Sequence, residues 1–131
     1  MKYKTEVEVR YQETDAMGVV HHSVYPIWFE LARISCLREE GFPYEVLEER
    51  GEQIPVIGLE VSYLRPVKFG HFVKIEFTLS QDSPSKFSFH YQLTESEQIV
   101  AKGSTQHVFM NPKGRPIRPP QAFTDHFFRD T

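Results

Sequence analysis

The sequence predicts an α+β fold in which one curved antiparallel sheet wraps around a long central helix. A strand-like segment opens the chain, a long segment that is apolar around almost its whole helical circumference follows, and further strand-like segments fill the second half. A helix that is apolar on nearly every side is a buried helix. Sequential strands joined by short turns favour antiparallel pairing. One twisted sheet curled around one helix satisfies both requirements.

The N-terminal segment alternates between apolar and charged residues. The first strand is predicted over 2–12, with Val9 and Tyr11 on its buried face. Residues 13–22 have no strict period and contain Gly18. We therefore interpret them as a loop that leads into the helix.

The central helix is predicted over 23–40. Ser23 is suited to cap its N-terminus, and Pro26 is compatible with the helix because it lies in the first turn. Gly41 and Pro43 provide a stop at the C-terminal end. Because apolar residues cover nearly its whole circumference, we expect the sheet to enclose this helix.

The remaining segments complete the predicted order. We expect a short amphipathic helix over 43–50 and another near 123–128, in the proline-rich tail. A sheet of this kind leaves its outer face and edges exposed, so a dimer or larger assembly would cover its outward aromatic side chains. Period-two patterns predict four strands, over 56–64, 72–79, 86–94 and 99–110.

The composition limits the class of protein. The chain has 131 residues, 40% of them apolar and 25% charged, which is typical of one globular domain over 1–131. Its formal net charge of -3 gives no electrostatic reason to expect nucleic acid. No segment approaches the length of a membrane span, and residues 1–10 lack the apolar core of a signal peptide. Cys36 is the single cysteine, which excludes an internal disulfide and indicates a reducing, cytoplasmic compartment.

The loop and the start of the helix carry a long motif. Residues 9–33 read VRYQETDAMGVVHHSVYPIWFELAR. This stretch resembles the 4-hydroxybenzoyl-CoA thioesterase branch of the hot-dog superfamily, especially its bacterial acyl-CoA thioesterase subgroup associated with the Tol-Pal region. A shorter match is the Tyr-x-x-Pro of residues 63–66, followed by Gly70. The matching positions of the long motif are Thr14, Asp15, Ala16, Gly18, Val19, Val20, His22, Tyr25, Glu30, Ala32 and Arg33.

Three positions depart from the family's pattern. Met17 replaces a frequent glycine, which makes the loop stiffer, and Val24 stands where the family often has asparagine. His71 follows Gly70 where the family usually has aspartate. A role carried by that acid therefore does not transfer to this chain.

The resemblance implies a thioesterase of the hot-dog fold that hydrolyses an acyl- or aroyl-coenzyme A, with Asp15 as its catalytic carboxylate. It also implies that the backbone amide at the His22 position polarises the thioester carbonyl. No cofactor is implied, because coenzyme A is part of the substrate, and shared sites in the family imply a homotetramer built from dimers. We expect the substrate to contact Gly18, Val20, Tyr25 and Glu30, and the coenzyme A phosphates to contact Arg65, Lys68 and Lys86.

The chemistry of thioester hydrolysis suits these residue types. A carboxylate is needed near the carbonyl carbon, and hydrogen-bond donors are needed near the oxygen. Asp15 is charged at neutral pH without any special environment, so it can act as nucleophile or as general base. His22 lies at the predicted helix start, where the first N–H groups have no intrahelical partner and lie at the positive end of the dipole. One such donor contributes roughly 3 to 4 kcal/mol in the transition state.

Each of these residues also has a structural interpretation. An aspartate before a helix is commonly a cap or turn residue. Glu30 is the alternative catalytic acid, because other hot-dog branches use a helix glutamate, but Glu30 and Arg33 could simply pair with each other. Cys36 has no local base and is interpreted as a core residue.

Other site types and functions fit less well. The chain has no HExxH or paired Cys/His spacing, and we expect adjacent histidines to diverge, so no metal site is predicted. A thioesterase acting on acyl carrier protein remains an alternative with the same site. A non-catalytic acyl-CoA-binding module is disfavoured by Asp15 and Gly18, and a dehydratase would need an Asp-His pair that is absent. The histidines considered for metal binding are His21, His22, His71, His90 and His107.

Overall fold

The structure is a computed structural model that describes residues 2–129. Its largest unit is a five-stranded antiparallel sheet with the strand order β1-β3-β4-β5-β2, and a two-stranded ribbon pairs β6 with β7. The elements are β1 (Tyr3–Glu8), α1 (Val24–Glu39), α2 (Tyr44–Glu49), β2 (Val56–Tyr63), β3 (Phe72–Gln81), β4 (Phe87–Glu95), β5 (Gln98–His107), β6 (Phe109–Met110), β7 (Pro116–Ile117) and α3 (Gln121–Phe128).

The fold class predicted from the sequence is confirmed. The sheet packs its inner face against α1, and each predicted strand begins within one residue of its expected start. Alternate side chains of β3 and β4 are fully or almost fully buried, as the period-two pattern requires. The buried inner-face residues of these two strands are Val73, Ile75, Phe77, Phe87, Phe89, Tyr91 and Leu93.

The central helix lies unusually close to the sheet. The rings of Phe29 and Tyr91 stack with their centroids 4.1 Å apart. Next to them, a β-carbon at Gly103 would lie 2.5 Å from the Phe29 ring and 2.7 Å from the carbonyl oxygen of Glu60. Real β-carbons do not approach other atoms so closely, so glycine at position 103 allows Phe29 to rest on the backbone of β5.

One expectation about the helix is wrong. The sheet curves around the buried side of α1 but does not cover the helix on every side, because Ile27 and Leu31 are each about half exposed, at 53% and 51%. The edge strand β2 likewise exposes Val56, Leu59 and Tyr63 to a similar extent. Some apolar residues of the helix are therefore not buried within a single copy of the chain. The expectation of outward aromatic side chains holds for few of the phenylalanines, because seven of the eleven are buried.

Two predicted strands have different ends in the structure. β1 stops at Glu8, and the chain turns in a short 3-10 helix over Tyr11–Glu13, which leaves the Tyr11 ring exposed. The turn forms because the Glu13 carboxylate accepts a hydrogen bond from the Arg10 amide, at 2.8 Å. The strand predicted over 99–110 is interrupted at Val108, after which the chain pairs with β7 instead of continuing along β2.

The C-terminal helix closes one end of the core. Phe123 on α3 is fully buried and contacts Phe42, Phe87 and Phe109 at ring-centroid distances of 5.0 to 5.3 Å. Fully burying such a side chain stabilises the fold by roughly 1.5 to 3 kcal/mol. None of the helices in residues 2–129 combines the length and the hydropathy that crossing a membrane requires.

A chain of buried hydrogen bonds crosses the core beneath α1. Arg33 Nη1 contacts the Tyr91 hydroxyl at 3.3 Å, Tyr91 contacts Thr105 at 2.8 Å, Thr105 contacts His107 Nε2 at 2.8 Å, and His107 Nδ1 contacts the Pro55 carbonyl at 3.2 Å. A guanidinium can only donate and a carbonyl can only accept. Every donor in the chain therefore points from the helix towards the start of β2. This direction assigns the neutral Nδ1–H tautomer to His107.

Candidate active site

A buried carboxylate anchors the loop that precedes α1. The Glu13 side chain is only 6% exposed, and its Oε2 accepts a hydrogen bond from Trp28 Nε1 at 3.0 Å. The Glu13 backbone carbonyl accepts a hydrogen bond from the His21 amide at 2.9 Å. The first contact attaches the loop to the helix, and the second ties its two ends together. The residues between Glu13 and His21 are therefore held close to the helix start.

Asp15 organises the tip of this loop. Its Oδ1 accepts a hydrogen bond from the Met17 amide at 2.8 Å, and its backbone amide donates to the Val19 carbonyl at 2.8 Å. Gly18 completes the turn with a φ of 79°, a conformation that favours glycine. Within residues 2–129, no donor contacts the second carboxylate oxygen, Oδ2. One oxygen therefore holds the loop and the other is available to a substrate or to water.

The chain enters the helix through two histidines. The Val24 amide donates to the His21 carbonyl at 3.0 Å, and the Ser23 amide donates to His21 Nδ1 at 3.1 Å. The His22 amide has no acceptor among the residues that the structure describes. It thus remains an orphan donor beside the first turn of α1, at the positive end of the helix dipole.

A cavity of about 360 Å³ lies between the loop, the helix start and the end of β2. It brings together Asp15, His22, Val20, Tyr25 and Arg65, five of the nine residues that the sequence predicted for the site. The other lining residues are Met17, Val19, Tyr63, Leu64 and Pro66.

Tyr25 and Tyr63 form the aromatic wall of this cavity. Their rings pack edge to face with centroids 5.1 Å apart. Burial raises the pKa of the Tyr25 hydroxyl above its ordinary value, and the neighbouring Tyr63 and Glu95 raise it further. Tyr25 therefore stays a neutral phenol that offers a hydrogen-bond donor to whatever occupies the cavity.

The other four predicted contacts lie outside the cavity lining. Gly18 is at the outer tip of the loop, and Glu30 is exposed on the far side of α1. Lys68 pairs with Val19 through its backbone only. Lys86 lies in the turn after β3, at the opposite end of that strand from the loop. The substrate roles of these four residues stay predictions.

Some local expectations about charged residues are corrected by the structure. Arg33 does not pair with Glu30, because its side chain is buried against Tyr91. The adjacent rings of His21 and His22 do not diverge, since their centroids are 4.2 Å apart.

The remaining histidines and the cysteine are occupied elsewhere. His71 pairs with Glu95, and His107 belongs to the buried chain of hydrogen bonds. In the described part of the protein, no three His, Cys, Asp or Glu side chains are placed to share a metal ion. Burial raises the pKa of the Cys36 thiol to about 12, with Glu40 and Glu39 contributing, so this thiol is not a nucleophile at neutral pH.

Two residues of the site were not predicted from the sequence. Glu13 was visible only as one member of the charged pair around Thr14, and its burial depends on a contact with Trp28 that spacing does not reveal. The shorter motif of residues 63–66 includes Tyr63 but assigns it no role in the site. Its position at the cavity depends on the pairing of β2 with β5, which is a long-range contact.

The chain matches known proteins over most of its length. The family model described as "Thioesterase-like superfamily" matches residues 9–127. The "Putative acyl-CoA thioesterase YneP" of Bacillus subtilis is 30% identical over 93% of this chain and 90% of its own length. The structure of the DHNA-CoA thioesterase from Staphylococcus aureus has a TM-score of 0.85 and 31% identity, covering 98% of this chain and 85% of that one.

A third match addresses the fold alone. The 4-hydroxybenzoyl-CoA thioesterase from Pseudomonas sp. strain CBS-3 has a TM-score of 0.86 but only 18% identity, over 95% of this chain and 97% of that one. The hot-dog fold expected from the sequence is thus confirmed, whereas the branch within the family is not settled by these similarities. On the extent of the family match and the 30% identity over nearly its whole length, the chain belongs to the Thioesterase-like superfamily.

Proposed function

We propose that this protein hydrolyses the thioester of an acyl- or aroyl-coenzyme A to the free acid and coenzyme A. The observation that carries the proposal is that one cavity is lined by a residue with a carboxylate oxygen and a residue with a backbone N–H, neither of which has a partner within residues 2–129. The Asp15 Oδ2 supplies the first and His22 the second. The names of the relatives described above support the same reaction class.

The proposed reaction begins with the thioester carbonyl oxygen at the His22 amide. Negative charge develops on that oxygen when the carbonyl carbon is attacked, and a preformed donor at a helix start stabilises it. As general base, Asp15 takes a proton from water while the water oxygen bonds to the carbon. The C–S bond then breaks, coenzyme A leaves as thiolate, and the proton passes to the thiolate sulfur.

Asp15 can instead attack the carbon directly. A mixed anhydride then forms as the thiolate leaves, and water hydrolyses it in a second step. Both routes use only the carboxylate, the amide and water, so no cofactor is proposed beyond the coenzyme A of the substrate. Tyr25 and Val20 would contact the acyl group, and Arg65 would contact the coenzyme A portion, because all three line the cavity.

Two finer points belong to the proposal. The motif of residues 9–33 resembles the 4-hydroxybenzoyl-CoA and Tol-Pal-associated branch, while a relative at 31% identity is named for DHNA-CoA, so both aromatic thioesters are proposed as candidate substrates. A homotetramer in a reducing, cytoplasmic compartment follows from the exposed apolar side chains of β2 and from the single cysteine, Cys36.

One assay tests the proposed function. Thiol release is followed with a chromogenic reagent across short, long and aromatic acyl-CoAs, including 4-hydroxybenzoyl-CoA and DHNA-CoA, and across acyl groups on acyl carrier protein. We expect turnover on at least one coenzyme A thioester and its loss in Asp15→Asn. Preference for the carrier-protein substrates would favour the alternative partner. Absence of turnover with every thioester would contradict the proposal, and tight binding without turnover would indicate a non-catalytic acyl-CoA-binding protein.

A further inference from the structure

The backbone carbonyl of His22 depends on a side chain from a distant strand. In a helix, the carbonyl of residue 22 would accept a hydrogen bond from the amide of residue 26. Residue 26 is proline, which has no N–H to donate. The Tyr63 hydroxyl donates to this carbonyl instead, at 2.8 Å, from the last residue of β2.

This contact completes the restraint of both peptide groups that flank His22. The peptide before His22 is held through the His21 carbonyl, which accepts a hydrogen bond from the Val24 amide. The peptide after it is held at its N–H by His21 Nδ1 and at its carbonyl by Tyr63. In a trans peptide the N–H points away from the C=O. The His22 N–H belongs to the first of these peptides, and the carbonyl that Tyr63 contacts belongs to the second. Holding both peptides limits rotation about the backbone bonds at the His22 Cα, so Tyr63 restrains the direction of the His22 N–H through the adjacent peptide.

The Tyr63 side chain is held at this position by its own packing. Its ring contacts Tyr25 edge to face, and Tyr25 is a buried residue of the first helical turn. Half of the Tyr63 surface is nevertheless exposed, so the hydroxyl is not an essential part of the core. Removing the oxygen alone should therefore alter the direction of one peptide and leave the fold in place.

We propose that Tyr63 is a positioning residue for the reaction, in which its hydroxyl orients the His22 N–H towards the thioester carbonyl. This inference rests on the proposed function. A donor that is oriented before the reaction stabilises developing charge without reorganising at the moment of attack. Tyr63 thereby supplies, from the edge of the sheet, the donor that Pro26 lacks.

Tyr63→Phe is the primary test. It retains the ring and removes the hydroxyl, and we expect kcat to fall about tenfold to a hundredfold while KM changes little. Tyr11→Phe is the control, because it removes a phenol oxygen from another exposed tyrosine whose ring lies outside the cavity. We expect full activity in this control. Unchanged kcat in Tyr63→Phe, with the wild type active, would overturn the proposal.

A rescue experiment separates orientation of the amide from direct contact with substrate. Pro26→Ala introduces an N–H that can donate to the His22 carbonyl. Adding Tyr63→Phe to the Pro26→Ala variant should therefore lower kcat much less than Tyr63→Phe lowers it in the wild type. A role in touching the substrate would not be rescued in this way. Failure of the double variant to recover activity in a folded protein would overturn the positioning role.

Two spectroscopic readouts complete the test. In the Asp15→Asn background, where bound thioester persists, Tyr63→Phe should move the infrared carbonyl band of the bound substrate back towards its position in water. An unmoved band would show that Tyr63 does not act through the carbonyl. The NMR shift of the His22 carbonyl carbon reports the Tyr63 contact without any substrate. It therefore still tests the contact if no thioester is hydrolysed and the proposed function itself fails.

Discussion

The Oδ1 atom of Asp15 lies 2.8 Å from the backbone nitrogen of Met17, two residues further along the same loop. This contact makes Asp15 both a part of the loop's structure and a candidate for its chemistry. The two roles use different oxygens, because Oδ2 has no contact with a donor in residues 2–129. A substitution that preserves one oxygen can therefore separate them.

Asp15→Asn should remove activity and keep the fold. The asparagine carbonyl oxygen can still accept the hydrogen bond from Met17, whereas the charge and the second acceptor are lost. We expect turnover to fall by about a thousandfold, in keeping with loss of the group that attacks or deprotonates. Circular dichroism and the melting temperature should match the wild type. A folded Asp15→Asn protein with near-wild-type turnover would exclude Asp15 as the catalytic carboxylate.

The His22 backbone amide should matter more than the His22 ring. His22→Ala keeps the N–H, so we expect turnover at saturating thioester to fall about tenfold or less, below the ~10²-fold loss typical of deleting an oxyanion donor. His22→Pro removes the N–H and should cost far more. A structure of the proline variant is needed to show that the loop has not moved. If His22→Ala were as inactive as Asp15→Asn while still binding substrate, the ring would be the catalytic group.

The edge strand β2 should form the contact between subunits. The opposite edge strand, β1, presents the charged residues Lys4, Glu6 and Glu8 to solvent, which discourages pairing between sheets. β2 exposes apolar residues instead, so Leu59→Lys should shift an oligomer towards smaller species in light scattering at micromolar protein. Val46→Lys, at an exposed apolar position on α2, is the control and should leave the oligomer intact. An active wild-type monomer would contradict a site shared between subunits.

Acid should destabilise the protein through His107. Burial lowers the pKa of this imidazole to about 4, and the positive charge of Arg33 contributes. In the unfolded chain the ordinary value is about 6.5. Between these values the unfolded state binds a proton that the folded state does not. Stability from neutral His107 is therefore complete above about pH 6.5 and is lost as the pH falls to about 4, by about 3 kcal/mol in total.

Urea unfolding at pH 7 and pH 4.5 measures this loss. His107→Gln keeps a donor and an acceptor but does not titrate. Between pH 7 and pH 4.5 its free energy of unfolding should therefore fall by about 2 kcal/mol less than that of the wild type. His90→Gln, at an exposed position on the outer face of the sheet, should behave as the wild type. An equal fall in the wild type and in His107→Gln would show that another group accounts for the acid sensitivity.

Local signals predicted most of the fold. The bounds of α1 were correct to within one residue because Pro26 and Gly41 limit a helix chemically, whatever surrounds it. The end of β1 was missed because the Glu13 carboxylate accepts a hydrogen bond from the Arg10 amide and turns the chain. The alternation of apolar and polar residues carries no information about such a side-chain contact. The break at Val108 was missed because it depends on pairing between β6 and β7, which is a contact between distant segments.

The candidate site was predictable to the extent that its residues are neighbours in the chain. Asp15 and His22 lie in one motif, and the structure places both at one cavity. Lys86 was associated with them as a cation at the end of a strand, but it follows the C-terminal end of β3, whereas the loop lies near the start of that strand. The position of Tyr63 was not predictable from local sequence, because it depends on the long-range pairing of β2 with β5 that brings Tyr63 beside the helix start.

The missing side chain at Gly103 sets the height of α1 above the sheet. Phe29 rests where a β-carbon would otherwise stand, and Val24, the first residue of α1 and two residues after His22, lies about 7.5 Å away along the helix axis at 1.5 Å per residue. Because a helix of this length is rigid, a methyl group at position 103 would push the Phe29 ring away from β5 and change the orientation of the helix relative to the sheet. The absence of a side chain at position 103 therefore allows the N-terminal half of α1, which leads back to His22, to lie close against the sheet.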